Sequence, residues 1–162
     1  MTGRRIVLWR HGRTNWNLER RFQGQADIAL DAEGMEQARR SAEVLVRVDP
    51  HMIVSSDLLR AAQTARALAS LVGLEVRTDV RLRETYAGEW EGLDRFELMS
   101  RFGPEFERWA ADSYVRAGGG ETRVEVASRV VAAIDEFVDM LPTSGTLIVA
   151  THGGAARAAI GA

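Results

Sequence analysis

At 162 residues, 46% of them hydrophobic, the chain is long enough to bury a core that needs no disulfide or metal staple. A formal net charge of −2 argues against a general nucleic-acid binder, and no apolar run reaches membrane-spanning length, so neither nucleic acid nor membrane is an expected partner and the cytoplasm is the expected location. There is no cysteine and no lysine, all 21 basic residues being arginine, which excludes thiolate nucleophiles, cysteine zinc sites, Schiff-base chemistry and the lysine of a phosphate-binding P-loop.

In chain order, Ile6–Arg10 reads as a first strand, apolar on both faces and therefore expected to be central. A polar loop runs from Gly12 to Leu30. Asp31 then stands at an N-cap, and Met35, Ala38, Ala42, Leu45 and Val46 follow at helical spacing. Asp49-Pro50 ends that helix and Met52–Ser55 supplies a second strand. Asp57 is placed to cap the next helix, whose buried face includes Leu58, Ala61, Ala65, Leu68 and Val72 before Gly73 closes it. Glu75–Thr78 is a short third strand.

Arg81–Leu93 reads as an ordered loop. Phe96, Met99, Phe102, Phe106 and Trp109 predict one or two short helices broken at Gly103-Pro104. A flexible Gly118-Gly119-Gly120 precedes a capping box over Thr122–Glu125 and a helix with Val124, Ala127, Val130, Val131, Ile134, Phe137, Val138 and Leu141 on its apolar face. Leu147–Thr151 is a last strand and delivers His152. Strands alternating with helices imply an α/β three-layer sandwich: a mostly parallel central sheet with helices on both faces, in one domain over residues 1–162. A helix beginning near Gly154 and stopping at Ala162 reads as a C-terminal truncation.

Two strands end in the same device, an apolar run followed by histidine and glycine: Arg10-His11-Gly12 and Thr151-His152-Gly153-Gly154. Ligands of α/β folds bind beyond the carboxyl ends of the strands at a topological switch point, so two such strands side by side aim both imidazoles into one pocket. Glycine after each histidine removes a Cβ where the backbone turns and approaches a ligand. The first motif, through Arg13, Thr14, Asn15 and Asn17, adds two guanidiniums, a hydroxyl and two amides, a donor set suited to a phosphoryl group. Neutral histidine is a competent nucleophile toward phosphorus, and arginine neutralises the equatorial oxygens. Those arginines, and the absence of closely spaced histidines, argue against a metal site. His51, before a strand, reads as structural. Arg60, in the first turn after the second strand, faces the same crevice, although a surface arginine fits its spacing equally well. Ester cleavage also needs a proton donor for the leaving alkoxide, and Glu84, Glu89 and Glu91 all qualify by chemistry, the last two reading better as a solvated loop.

These residues resemble the histidine phosphatase superfamily, the phosphoglycerate mutase-like enzymes. The likeness runs through Arg10-His11-Gly12 with Thr14, Trp16 and Asn17, then Phe22-Gln23-Gly24. It resumes at Ser55–Ala61 with Gln63-Thr64-Ala65, at Leu82-Arg83-Glu84 with Gly88 and Trp90-Glu91-Gly92, and at Thr151–Gly154. The resemblance implies a phosphohistidine formed on His11, a phosphoryl clamp of Arg10, Arg60 and His152 assisted by Asn17, and Glu84 as proton donor. It implies substrate contacts from Gln23, Gly24 and Gly153, and no cofactor or metal. The short Gly88–Gly92 stretch is similar to the phosphatase branch, in which Arg81–Gly92 and Gly119–Val124 look like actinobacterial members.

The expected activity is hydrolysis of a small phosphorylated metabolite, a phosphoglycerate derivative or sugar phosphate, with a homodimer left open. A mutase-type transfer and a non-catalytic phospholigand-binding module are the alternatives.

Overall fold

The structure is a computed structural model that describes residues 3–162. Four parallel strands form one sheet in the order β1 (Arg5–Arg10), β4 (Thr146–Thr151), β2 (Met52–Ser55) and β3 (Val76–Thr78). The chain moves outward from β1 to β2 and β3 and then returns to insert β4 between β1 and β2. Arg10 is thereby in register with Thr151, and Ser55 with Ala150. The carboxyl ends of β1 and β4 lie side by side at the point where strand order reverses.

β4 is the central strand, buried at all six positions, whereas β1 is at the edge of the sheet and its first residues are exposed. The expectation that β1 is central is therefore wrong. Val7 and Trp9 pack into one core cluster and Leu8 into the other, so an edge strand too can carry an apolar run.

Alternate residues of β4 serve the two faces, as a pleated strand requires. Leu147 and Val149 join Val126, Val130, Ala133, Ile134, Phe137 and Ala155 on one side. These come from α5 (Arg123–Asp139) and α6 (Gly153–Ile160). Ile148 and Ala150 join Trp9, Ala42, Ala65 and Leu68 on the other, where α2 (Ala32–Leu45) and α3 (Leu59–Val72) pack together. Each fully buried Leu, Ile or Val contributes about 1.5–3 kcal/mol, so the two clusters on β4 dominate the stability of the sheet.

Local signals explain most helix ends. Asp31 caps α2 by accepting from Gly34 N at 2.7 Å, and Thr122 and Glu125 form the expected capping box of α5. Asp57 does not cap α3. It takes the Arg83 guanidinium at 2.7 and 2.5 Å, and the first amide of α3, Leu59 N, donates instead to Asp27 Oδ1 at 2.7 Å. A long-range arginine outcompetes the local amide because a bidentate charged pair is the stronger interaction.

Between β3 and α5 lies α4 (Arg95–Ala111), preceded by a one-turn helix α1 (Asn15–Leu18) much earlier in the chain. α4 is kinked at Phe102, where φ and ψ are −134° and 23°, two residues before Pro104. Its Phe106 and Trp109 pack edge-on and tilted with Phe22 and Trp90 at ring-centroid distances of 5.4–5.9 Å. The glycine triplet packs against the loop before it. Gly118 is buried at positive φ, where a Cβ would strike the Ala87 carbonyl, and Gly120 N donates to Ala117 O at 2.8 Å. No helix among the described residues is long and apolar enough to cross a membrane.

Candidate active site

β1 delivers His11 and β4 delivers His152, and their rings lie 5.2 Å apart, edge to face. His11 Nδ1 is 2.6 Å from its neighbour's carbonyl, Gly12 O. A carbonyl only accepts, so Nδ1 carries the proton and Nε2 keeps its lone pair. Burial lowers the His11 pKa from the ordinary 6.5 to about 4, the nearby Arg60 and Arg10 charges acting in the same direction and the Gly12 bond opposing them. At neutral pH this imidazole is therefore uncharged, the form a nucleophile needs. His152 is completely buried, and burial, with the Arg60 charge next, holds it well below the usual range. Neither of its ring nitrogens has a hydrogen-bond partner among the described residues.

The glycines behind the two histidines differ in what they make room for. A Cβ on Gly12 would collide with the carbonyl of Gly34 in the first turn of α2, so this glycine admits a helix, not a ligand. A Cβ on Gly153, which follows His152, would lie 3.4 Å from Arg10 Nε, whereas one on the next residue, Gly154, would fall on the Glu84 carboxylate.

Glu84 lies on the loop after β3. Its Oε1 accepts from Thr85 N at 2.8 Å and Ala155 N at 2.9 Å, and its Oε2 accepts from Gly154 N at 2.9 Å. His152 is the N-cap residue of α6 but makes no side-chain cap. The carboxylate arriving from sequence position 84 satisfies the helix's open amides instead and sits at its positive end.

Arg60, in the first turn of α3, is fully buried. Its Nη1 donates to Ala26 O and its Nη2 to Gly24 O, both at 2.7 Å, while Nε has no partner among the described residues. The Gly24 turn is held from the other side by Glu91, which accepts from Gln25 N at 2.8 Å and Ala87 N at 3.1 Å. Glu91 is thus a structural acceptor rather than part of a solvated loop, whereas Glu89 is exposed. Thr14 orients the amides: its hydroxyl lies 2.9 Å from Gln23 Oε1 and 3.1 Å from Asn17 Oδ1. With both carbonyl ends engaged, the NH2 ends of Asn17 and Gln23 are available as donors.

These groups open on one cavity of about 910 Å3 whose wall includes Arg10, His11, Asn17, Gln23, Gly24, Arg60, Glu84 and Gly153. His152 adjoins that set but does not reach the cavity surface. Arg13, which belongs to the donor-rich motif in sequence, is turned away and pairs with Asp31 at 2.7 Å. His51 is remote, its Nδ1 lying 2.9 Å from Asp49 O and 3.3 Å from Thr146 N. Among the described residues no three His, Cys, Asp or Glu side chains converge as metal ligands.

The cavity has further walls that motif reading passes over: Trp109, Ser113, Arg123, Ser128 and Arg157. Val124 and Ala127 also line it, so one face of the N-terminal end of α5 borders the cavity while Val126 between them packs in the core. Helical spacing carried the missing signal. Gly154, Arg157, Ala158 and Gly161 recur every three or four residues, which places Arg157 on the same face of α6 as the glycine beside Glu84.

Residues 6–162 match the family described as the histidine phosphatase superfamily (branch 1). The glucosyl-3-phosphoglycerate phosphatase of Mycobacterium tuberculosis is 40% identical over 161 residues, covering 95% of this chain and 72% of that one. A probable phosphoglycerate mutase of Serratia proteamaculans is 35% identical over 155 residues, covering 91% of this chain and 69% of that one. A solved mycobacterial glucosyl-3-phosphoglycerate phosphatase in complex with VO3 superimposes with a TM-score of 0.91 at 40% identity, covering 96% of this chain and 79% of that one.

Proposed function

The chain belongs to the histidine phosphatase superfamily (branch 1), and on that premise we propose that it hydrolyses a small phosphorylated metabolite by passing the phosphoryl group to His11 and from His11 to water. It is a phosphatase, a phosphoric monoester hydrolase. The observation that carries the mechanism is the neutral His11 ring, tethered at Nδ1 and free at Nε2, beside Arg60 at the end of β1.

In the first half-reaction Nε2 attacks phosphorus, the P–O ester bond breaks, and the leaving alkoxide takes its proton from Glu84. In the second, water attacks the phosphohistidine, Glu84 takes the water's proton, the P–N bond breaks, and inorganic phosphate leaves. Arg10, Arg60 and Asn17 neutralise and position the phosphoryl oxygens. His152, fully buried with its ring centroid 5.2 Å from that of His11, backs this set from behind the cavity wall.

We read residues 1–162 as one catalytic domain. No residue between Thr85 and Trp109 lines the cavity, so the stretch after Glu84 leaves the phosphoryl site accessible to water, which favours hydrolysis over mutase-type transfer. The cavity exceeds what a phosphoryl group fills, and Arg123 and Arg157 add positive charge to its wall. That combination suits a phosphoglycerate derivative, whose carboxylate is a second anion, in keeping with the named activity of the mycobacterial relative.

The test compares wild type with His11→Ala on an aryl phosphate and looks for an acid-labile phosphoryl label on the quenched enzyme. Loss of label and a fall of about 1,000-fold or more are expected; equal rates would refute the mechanism. A turnover screen over phosphoglycerates, their glycosides and sugar phosphates then identifies the substrate.

A further inference from the structure

Glu84 stands in a segment without regular secondary structure, between single 3-10 turns at Val80–Leu82 and Gly88–Trp90. Its backbone carbonyls have no ladder to join, and buried carbonyls need partners. Leu82 O takes the Thr151 hydroxyl at 2.8 Å and Glu84 O takes Gln25 Nε2 at 3.1 Å, but three of the carbonyls converge on one further side chain. Arg129, on α5, donates from Nη1 to Arg81 O and Arg83 O, both at 2.7 Å, and from Nη2 to Glu84 O at 2.9 Å. Its two remaining N–H groups go to Glu121, Nε to Oε1 at 2.7 Å and Nη2 to Oε2 at 2.8 Å. Glu121 Oε2 also accepts from Tyr86 N at 2.8 Å, and Glu121 N donates to Tyr86 O at 2.8 Å.

All five donors of the guanidinium are thus used, and the ion pair grips the backbone at residues 81, 83, 84 and 86, on both sides of the carboxylate-bearing residue. The pair is largely buried, with side-chain exposures of 18% and 21%. Burial raises the Glu121 carboxyl, but the Arg129 and Tyr86 hydrogen bonds prevail and hold it below the usual range, so it stays ionised. With no donor left over and no place on the cavity wall, Arg129 has nothing to offer a substrate.

We propose that the Glu121–Arg129 pair is a positioning device for the proton donor, fixing the backbone from which Glu84 reaches the amides of α6 and the phosphoryl site. The inference rests on Glu84 being that donor. Only arginine fits the task, because five coplanar N–H groups can serve three carbonyls and a carboxylate together, and lysine has three on a single atom.

The test measures kcat/KM of wild type, Arg129→Lys, Glu121→Gln and Glu84→Gln on p-nitrophenyl phosphate and on a simple alkyl phosphate, with circular dichroism to show that each is folded. kcat/KM reports the step that breaks the ester, and only the alkoxide leaving group requires a proton. Arg129→Lys should lose about 100-fold on the alkyl ester, as expected for a catalytic group displaced by roughly 1 Å, and little on the aryl ester. Glu121→Gln, which keeps the shape and removes the charge, should show a smaller loss with the same selectivity and serves if Arg129→Lys fails to fold. Equal losses on both esters in the Arg129 and Glu121 variants, alongside a selective loss in Glu84→Gln, would overturn the positioning role alone. No selectivity in Glu84→Gln would overturn the assignment of the proton donor and this inference with it.

Discussion

Replacing His11 by glutamine should make the fold less sensitive to acid, by an amount that can be worked from the site. The unfolded imidazole titrates near 6.5 and the folded one near 4. Between those values the unfolded chain binds a proton that the folded chain does not, so stability falls as the pH is lowered through that window. Above about 6.5 the contribution is complete, and below about 4 it falls no further. Between pH 7.5 and pH 5.0 the linkage relation gives a loss of about 2 kcal/mol from His11 alone. His152 is shifted in the same direction and adds a loss of the same sign, which both proteins share. Urea unfolding followed by tryptophan fluorescence at the two pH values measures the difference. Wild type should lose about 2 kcal/mol more than His11→Gln over this interval. Equal losses would mean that His11 is not held neutral by burial, and the account of its nucleophilicity would lose its physical basis.

Two other outcomes follow from the same geometry. Arg60→Lys replaces two carbonyl contacts at 2.7 Å and a cavity-facing edge with one ammonium; kcat/KM should fall about 100-fold or more, measured by steady-state kinetics, with faster amide exchange in residues 24–26. Gly154→Ala should lower both melting temperature and turnover of alkyl phosphates, because the added methyl meets the Glu84 carboxylate. On helix propensity alone the same change would stabilise by about 1 kcal/mol, so a more stable and fully active variant would contradict the assigned contact.

Much of the site was legible in the residues because its parts stand where strands end. An apolar run followed by His-Gly marks such an end, and a polar cluster behind it marks a binding loop, so His11, Asn17 and His152 could be placed without coordinates. Chemistry alone admits Glu84, Glu89 and Glu91 alike; the reading of the last two as a solvated loop and the resemblance favoured Glu84. The structure gives the physical distinction: Glu84 bonds to the amides of α6, Glu91 braces the Gly24 turn, and Glu89 faces solvent. Arg13 shows the opposite failure, since a residue two places from the nucleophile is drawn off by Asp31. Side-chain direction in a loop depends on partners far away in the chain, and sequence spacing carries no information about them.

The sequence by itself determined the element types, because periodicity and capping are local: Asp31 and the Thr122–Glu125 box start their helices as read, and alternating strands and helices require a parallel sheet. Tertiary structure alone decided strand order, placing β4 at the centre and β1 at the edge, since the apolar runs of the two strands look alike in the sequence. It also decided what Gly12 and Gly154, behind the two histidines, are for. Gly12 makes room for α2, Gly154 makes room for the Glu84 carboxylate, and Arg129 holds that carboxylate's backbone from a helix 45 residues away. Those contacts join segments remote in the chain, and only the folded backbone brings them together.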